Sequence, residues 1–308
     1  MTHKPLNFKA SGAFDWRRLP YFTRGVHAIS TADSDRFRLD LSRLEFCEPV
    51  GVTCMAAGIH YLQLREQECV EVIRPKSLDC RSYLERIGLF ELLGEEDIYP
   101  FQRRDSSGRF VELTRVTSKD QVGPATTAIL DVFSEKLDLD QDGRAALDTI
   151  LSEVTENVFH HAHSPTGAYL CCQSYRDRLD AAIVDLGDGV RRRLSDTEEL
   201  KKTVEEHGGP LKAAIAPRVT SRPAHNSGYG LALTSGLIRQ NGGKLGIYSQ
   251  RDRLTQAGGK ISEEVQKERW PGTAISLSVN RLQRLDIRAL YDEVWPTPEG
   301  ADFDFLDG

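Results

Sequence analysis

The chain has 308 residues, with 40 Lys and Arg against 46 Asp and Glu and a formal net charge of −6, enough for one large or two ordinary domains around a buried core. An apolar share of 39% beside 28% charged residues excludes disordered and collagenous classes, and no apolar run approaches the roughly 18 residues of a membrane span. The start lacks a signal-peptide core, six cysteines without a CxxC pair read as reduced thiols of a cytoplasmic protein, and the mild acidity speaks against broad binding to nucleic acid.

In chain order, residues 1–35 show no sustained period and read as a lead-in with one short strand or turn. From Arg36, the residues Phe37, Leu39, Leu41 and Leu44 alternate and predict a strand ending near Phe46. Pro49 suits the first turn of a helix, where a missing N–H costs little. Val52, Met55, Ala56, Ile59 and Leu62 follow at helical spacing. Cys69–Ile73 reads as a second strand, and Ser77 can cap a helix carrying Leu78, Tyr83, Leu84, Ile87 and Leu89. This rhythm predicts a small sheet with helices on one face. Phe110–Val116 reads as a further strand, and a boundary near 118 gives an N-terminal module spanning 36–118.

The second unit, 119–283, opens with helical patterns over about 120–137 and 141–162. Strands are expected at Ala168–Tyr175 and Arg178–Leu186, followed by a polar stretch of short helical pieces. A helix over about 229–241 stops at Asn241-Gly-Gly243. Strands at Lys244–Ser249 and Thr273–Val279 close the unit, with Gln256–Arg269 between them as a hairpin extension or surface loop. Residues 284–308 form an acidic tail: from Asp286 onward seven acids face Arg288 alone, so residues 1–285 are neutral. Trp295, Phe303, Phe305 and Leu306 alternate with acids there, which fits a solubilising end or a short docking segment.

Four clusters carry chemistry. In Glu153-Val-Thr-Glu-Asn157-Val-Phe-His-His161, residues 153, 157 and 161 stand four apart and face one side of a helix. A carboxylate can polarise water, and an amide oxygen suits a hard cation such as Mg²⁺. A solvated helix face explains the same residues. Asp185-Leu-Gly187-Asp-Gly189 ends an apolar strand; its carboxylate suits an exocyclic amine such as adenine N6, and its glycines allow a tight turn against a flat base. An ordinary strand-ending turn would look alike. Gly228-Tyr229-Gly230-Leu231 opens a helix whose free N–H groups can converge on an anion, though it is neither a Walker A loop nor a dinucleotide fingerprint. Pro271-Gly272-Thr273 leads into an alternating strand and places a hydroxyl.

Together, in this order and on these elements, the four clusters resemble the GHKL superfamily of gyrase-type, heat-shock-chaperone and histidine-kinase ATP-binding domains, over roughly 120–281. The resemblance implies a Bergerat two-layer α/β sandwich. It implies Glu153 as the water-orienting general base and Asn157 as the Mg²⁺ ligand. Asp185 would bind adenine in a pocket shaped by Gly187 and Gly189, with Thr273 adding a hydroxyl. The Gly228-Tyr229-Gly230-Leu231 segment would support the phosphates, and about 190–227 would form a mobile lid. Glu153-x3-Asn157-x3-His161-Ala162 is most similar to the bacterial anti-sigma-factor serine kinases, with His161 as a minor phosphate contact. No Cys or further His lies at ligand spacing from His160, His161 and His163, which speaks against zinc.

Leu39-Asp-Leu-Ser42-x2-Glu-Phe46-x2-Pro49-Val-Gly51 and Tyr83-Leu-Glu-Arg-Ile-Gly88-Leu-Phe90 resemble the STAS fold of anti-sigma-factor antagonists, over about 36–100. The family's Asp-Ser-Ser-Gly phosphorylation turn is replaced by Glu48-Pro49-Val50-Gly51, with Pro49 at the phosphorylated serine's place, so no hydroxyl can accept phosphate. Ser42 and Thr53 are out of register. The implied function is a Mg²⁺-dependent, ATP-binding regulatory protein, a slow ATPase whose lid closure gates a regulatory protein partner. The alternatives are a serine kinase of a partner-switching system and a non-hydrolysing ATP-sensing scaffold. A homodimer is in keeping with the family, many of whose members dimerise around nucleotide. A sensor histidine kinase is disfavoured, since residues 120–137 hold no histidine. Arg191-Arg-Arg193 is the strongest basic run and reads as a phosphate contact or solvated helix start rather than a nucleic-acid site.

Overall fold

A computed structural model describes residues 4–95, 108–137, 139–219 and 229–294, apart from the side chains of His160 and His161. Two sheets organise a mixed α/β fold. The first is parallel, in the order β1 (Leu6–Phe14), β2 (Arg36–Cys47), β3 (Glu68–Ile73). Its crossovers are α1 (Leu19–Ser30) and α2 (Pro49–Gln63). The lead-in is therefore an edge strand and a helix of this sheet, because Leu6–Phe14 pairs along the length of β2. Helices α3 (Leu78–Arg86) and α4 (Leu89–Leu92) follow.

The second sheet is antiparallel. It comprises β4 (Phe110–Val116), β5 (Ala168–Ser174), β6 (Arg178–Asp185), β7 (Lys244–Ala257) and β8 (Lys260–Asn280), in the order β4-β5-β6-β8-β7. Sequence order groups the strand at 110–116 with the N-terminal module. It instead forms the edge of this second sheet, paired with β5, because strand pairing is a non-local choice that chain order does not record. The run from Gln256 to Arg269 is a hairpin extension of β7 and β8. Its tight turn at Gly258-Gly259, with φ of 54° and 75°, has the two positive φ values of a twist-matched hairpin turn.

Alternation along the central strands divides them between two cores. Leu170, Cys172, Ala181, Ile183, Ile275 and Leu277 face one side. There they meet α5 (Val122–Leu137), α6 (Gln141–Asn157) and α10 (Gly230–Asn241). Tyr169, Cys171, Ala182, Val184, Tyr248 and Trp270 face the other side and join the core of the N-terminal module. Helix α2 lies between the two sheets and is buried nearly all round, from Pro49 through Ile59 and Leu62. A helix apolar on all sides fits such a central layer. Its small residues admit close neighbours: a Cβ on Gly51 would stand 2.6 Å from the Phe14 carbonyl oxygen. The layers thus run from helices to antiparallel sheet, to α1 and α2, to parallel sheet, so the two units share a core.

Residues Ile287–Val294 form α11, with Ile287, Leu290 and Val294 buried against the helical layer. The first part of the expected acidic tail is thus a packed helix, since a two-turn apolar stripe suffices to dock it despite its charge. Trp295, Phe303, Phe305 and Leu306 lie outside the described residues. Among the described residues no helix is long and apolar enough to cross a membrane.

Candidate nucleotide-binding cleft

Helix α6 brings Glu153 and Asn157 to its last turns and continues into a π-turn over Val158–Ala162. Strand β6 ends at Asp185, whose partner in register on β8 is Thr273. Helix α10 begins at Gly230. These elements meet around a cleft of about 130 Å³. Glu153, Asn157, Asp185, Gly189, Gly230, Leu231 and Thr273 all line it.

Gly230 lets the α10 start lie against α6. A Cβ there would stand 2.7 Å from the Glu153 Cβ. The start of α10 borders the cleft end through Gly230 and Leu231. Tyr229 itself is buried away from the cleft, its hydroxyl accepting from Arg218 Nε at 2.6 Å. Gly187 does not line the cleft either. Its N–H donates to Asp185 Oδ1 at 2.7 Å, and a Cβ on it would meet the Ala162 carbonyl oxygen at 2.2 Å. It therefore holds the Asp185 turn against the end of α6. Gly189 sits at φ 78°, a conformation natural to glycine. Gly228 and the side chain of His161 lie outside the described residues.

Asp185 is 5% exposed. Burial pushes its carboxyl up to about 7, opposed by hydrogen bonds from Gly187 and Thr273. Glu153 is also raised, first by burial and then by the neighbouring Glu156 carboxylate. Both groups are thereby shifted toward the neutral range, as groups in a functional cleft commonly are.

The stretch expected to form a lid begins with α7 (Val190–Arg193), α8 (Glu198–His207) and α9 (Pro210–Ala214). Val190, Leu194, Ala214 and Val219 give the cleft an apolar wall, facing Ile183 and Ile275 from the sheet. Ser249 anchors the start of α7: its hydroxyl accepts from the Val190 N–H at 2.8 Å and lies 3.1 Å from Thr273 Oγ1. At the other end, Glu263 of the β7–β8 hairpin accepts the Leu211 and Lys212 N–H groups at 3.1 and 2.8 Å.

The basic run is fully ion-paired. Arg191 grips Asp252 with two bonds of 2.7 and 2.6 Å, while Arg192 and Arg193 both bind Asp188. Arg193 also borders the cleft. The apolar wall and Ser249 were not singled out from sequence. Ile183 and Ile275 stand two residues from Asp185 and Thr273 on the same strand faces, a spacing that identifies them; the lid residues are joined only by the fold.

The residues fit a purine nucleotide by chemistry. Asp185 offers a buried acceptor between apolar walls, and the start of α10, like any helix N-terminus, suits an anion. Among the described residues no group of three His, Cys, Asp or Glu could hold a metal. An Mg²⁺ ion would therefore depend on Asn157 together with nucleotide oxygens and water, a normal mode for this ion. No family model matches the chain, and no curated protein matches it.

Proposed function

We propose that the chain is a Mg²⁺-dependent ATP-binding regulatory protein of GHKL type, acting as a slow ATPase whose lid closure gates a protein interaction. The observation carrying this reading is convergence. Glu153, Asp185, Gly230 and Thr273 come from four separate segments yet line one cleft. In this reading the apolar walls hold the base, Asp185 accepts its exocyclic amine, and the α10 start receives the phosphates. Asn157 would hold Mg²⁺, which when bound neutralises phosphate charge. Glu153, raised by its surroundings, would accept a proton from the attacking water.

The STAS-like module bears on the kinase alternative. Glu48, at the turn where that family carries its phosphorylated serine, lies 3.4 Å from Arg178 at the start of β6. Asp185 is at the opposite end of the strand, seven residues on, which is roughly 24 Å. Pro49 is buried. If the cleft transfers phosphate to a protein, the acceptor belongs to another molecule.

Hydrolysis tests the reading. Glu153→Ala should bind ATP as wild type does but turn it over at least about a hundredfold more slowly. Equal turnover would remove Glu153 as the base. Radiolabel from the γ-phosphate appearing on a co-purified protein would favour the kinase. Nucleotide binding with no turnover in either protein would favour the scaffold.

A further inference from the structure

A second cavity, of about 280 Å³, lies between the N-terminal module and the start of β4, far along the sheet from Asp185. Phe46, Ile87 and Phe110 give it apolar walls, and Tyr83 and Tyr175 present phenol rings to it. Both phenol hydroxyls are shielded from solvent and have no hydrogen-bond partner. Leaving a buried hydroxyl unpaired is costly, and such groups in native structures are paired with protein, water or a ligand. Two of them in one apolar cavity define a polar inner end.

The inner end suits a neutral group. Burial, then the Asp180 carboxylate and beyond it that of Glu48, push the Tyr175 phenol up, opposed by the Arg178 guanidinium stacked on its ring, and these charges are already paired with one another. The mouth differs. Arg86 and Arg109 line it and are exposed, and among the described residues neither has a carboxylate at ion-pair distance. Asp79 and Glu45 line the same mouth, likewise unpaired among the described residues. Four charges of mixed sign around an aromatic slot complement a ligand head that carries both an ammonium and a carboxylate.

We infer that this cavity is a binding site for a small aromatic amino acid with a hydroxyl at its far end. The ring lies among Phe46, Phe110 and the two tyrosines. The hydroxyl meets Tyr83 and Tyr175, and the zwitterionic head faces Arg86, Arg109, Asp79 and Glu45. The site is separate from the nucleotide cleft and does not depend on its assignment.

Titration calorimetry of the full chain tests this with L-tyrosine as probe, beside L-phenylalanine, tyramine and 4-hydroxyphenylacetate. Saturable binding of L-tyrosine is expected. Each of the three analogues should bind about tenfold more weakly, the loss of one good polar contact. Tyr83→Phe should weaken L-tyrosine by a similar factor while leaving the free protein's melting temperature unchanged or higher, because the hydroxyl it removes has no partner. Absence of saturable binding by every probe at millimolar concentration would overturn the site. Equal binding of 4-hydroxyphenylacetate and L-tyrosine would overturn the zwitterionic head. A lowered melting temperature for Tyr83→Phe would show the hydroxyl to be already satisfied and overturn its role.

Discussion

Asp185 on β6 and Thr273 on β8 are cross-strand partners, and the backbone and hydroxyl of Thr273 both help hold the buried Asp185 carboxylate. The pair sets the proton balance of the cleft. An unfolded aspartate has an ordinary value of 3.8, whereas burial lifts this one to about 7. As pH rises between these values the unfolded chain loses its proton first, so the folded state loses stability over that window and levels off above it. Asp185→Asn should reduce this slope in chemical denaturation, with Glu153, Glu48 and Asp180, also raised by burial, supplying the remainder. If the ionised carboxylate receives the base, ATP should bind about tenfold more tightly at pH 8 than at pH 6. The asparagine variant, which controls for titration of the nucleotide, should show a flatter profile.

Gly230→Ala places a methyl 2.7 Å from the Glu153 Cβ and 3.3 Å from its Oε2. Helices α6 and α10 must then separate, at a cost of about 1–3 kcal/mol. Denaturant titration should show that loss together with weaker nucleotide binding. Gly123→Ala, at a position with nothing within 4 Å of the added methyl, should be neutral or slightly stabilising.

Glu263 is the latch between the long hairpin and the lid. Its carboxylate satisfies two N–H groups at the start of α9, and Ala214 at the end of that helix lines the cleft. The same hairpin is fixed to the N-terminal module, with Arg253 stacked on Trp16 at 4.9 Å and Trp16 Nε1 donating to Thr255 at 3.1 Å. Glu263→Ala should accelerate amide exchange over Leu211–Ala214 and speed nucleotide release. Exchange indistinguishable from wild type would mean that the lid is held by its apolar contacts alone.

The shared core predicts that the second unit does not stand alone. A fragment spanning 109–294 would expose Tyr169, Val184, Tyr248 and Trp270, all fully buried in the whole chain. Exposed apolar patches of this kind drive aggregation. Size-exclusion chromatography should find the fragment aggregated, and a soluble monomer with cooperative unfolding would contradict the layering.

Local pattern carried much of this. Glu153 and Asn157 lie one helical turn apart, Asp185 ends an apolar strand and Thr273 lies in the apolar half of β8, so periodicity alone predicts their elements. Relations set by distant segments were harder to read. Helix α2 is apolar on every side, which marks it as interior without saying that β5 and β6 cover its second face. The Phe110–Val116 strand shows its alternation but not its partner. Ile287, Leu290 and Val294 have helical spacing, yet the surrounding acids suggest a free tail. Ser249 and Glu263 are ordinary polar residues on strands, and only their contacts with Val190 and α9 reveal what they hold.

Calorimetric titration of Mg²⁺-ATP into the wild-type chain and into Asp185→Ala addresses the central proposal most directly. One saturable site per chain in the wild type, lost or weakened at least about tenfold in the variant by removal of a buried polar contact, is the predicted result. No binding to the wild type, or equal binding by both proteins, would contradict it.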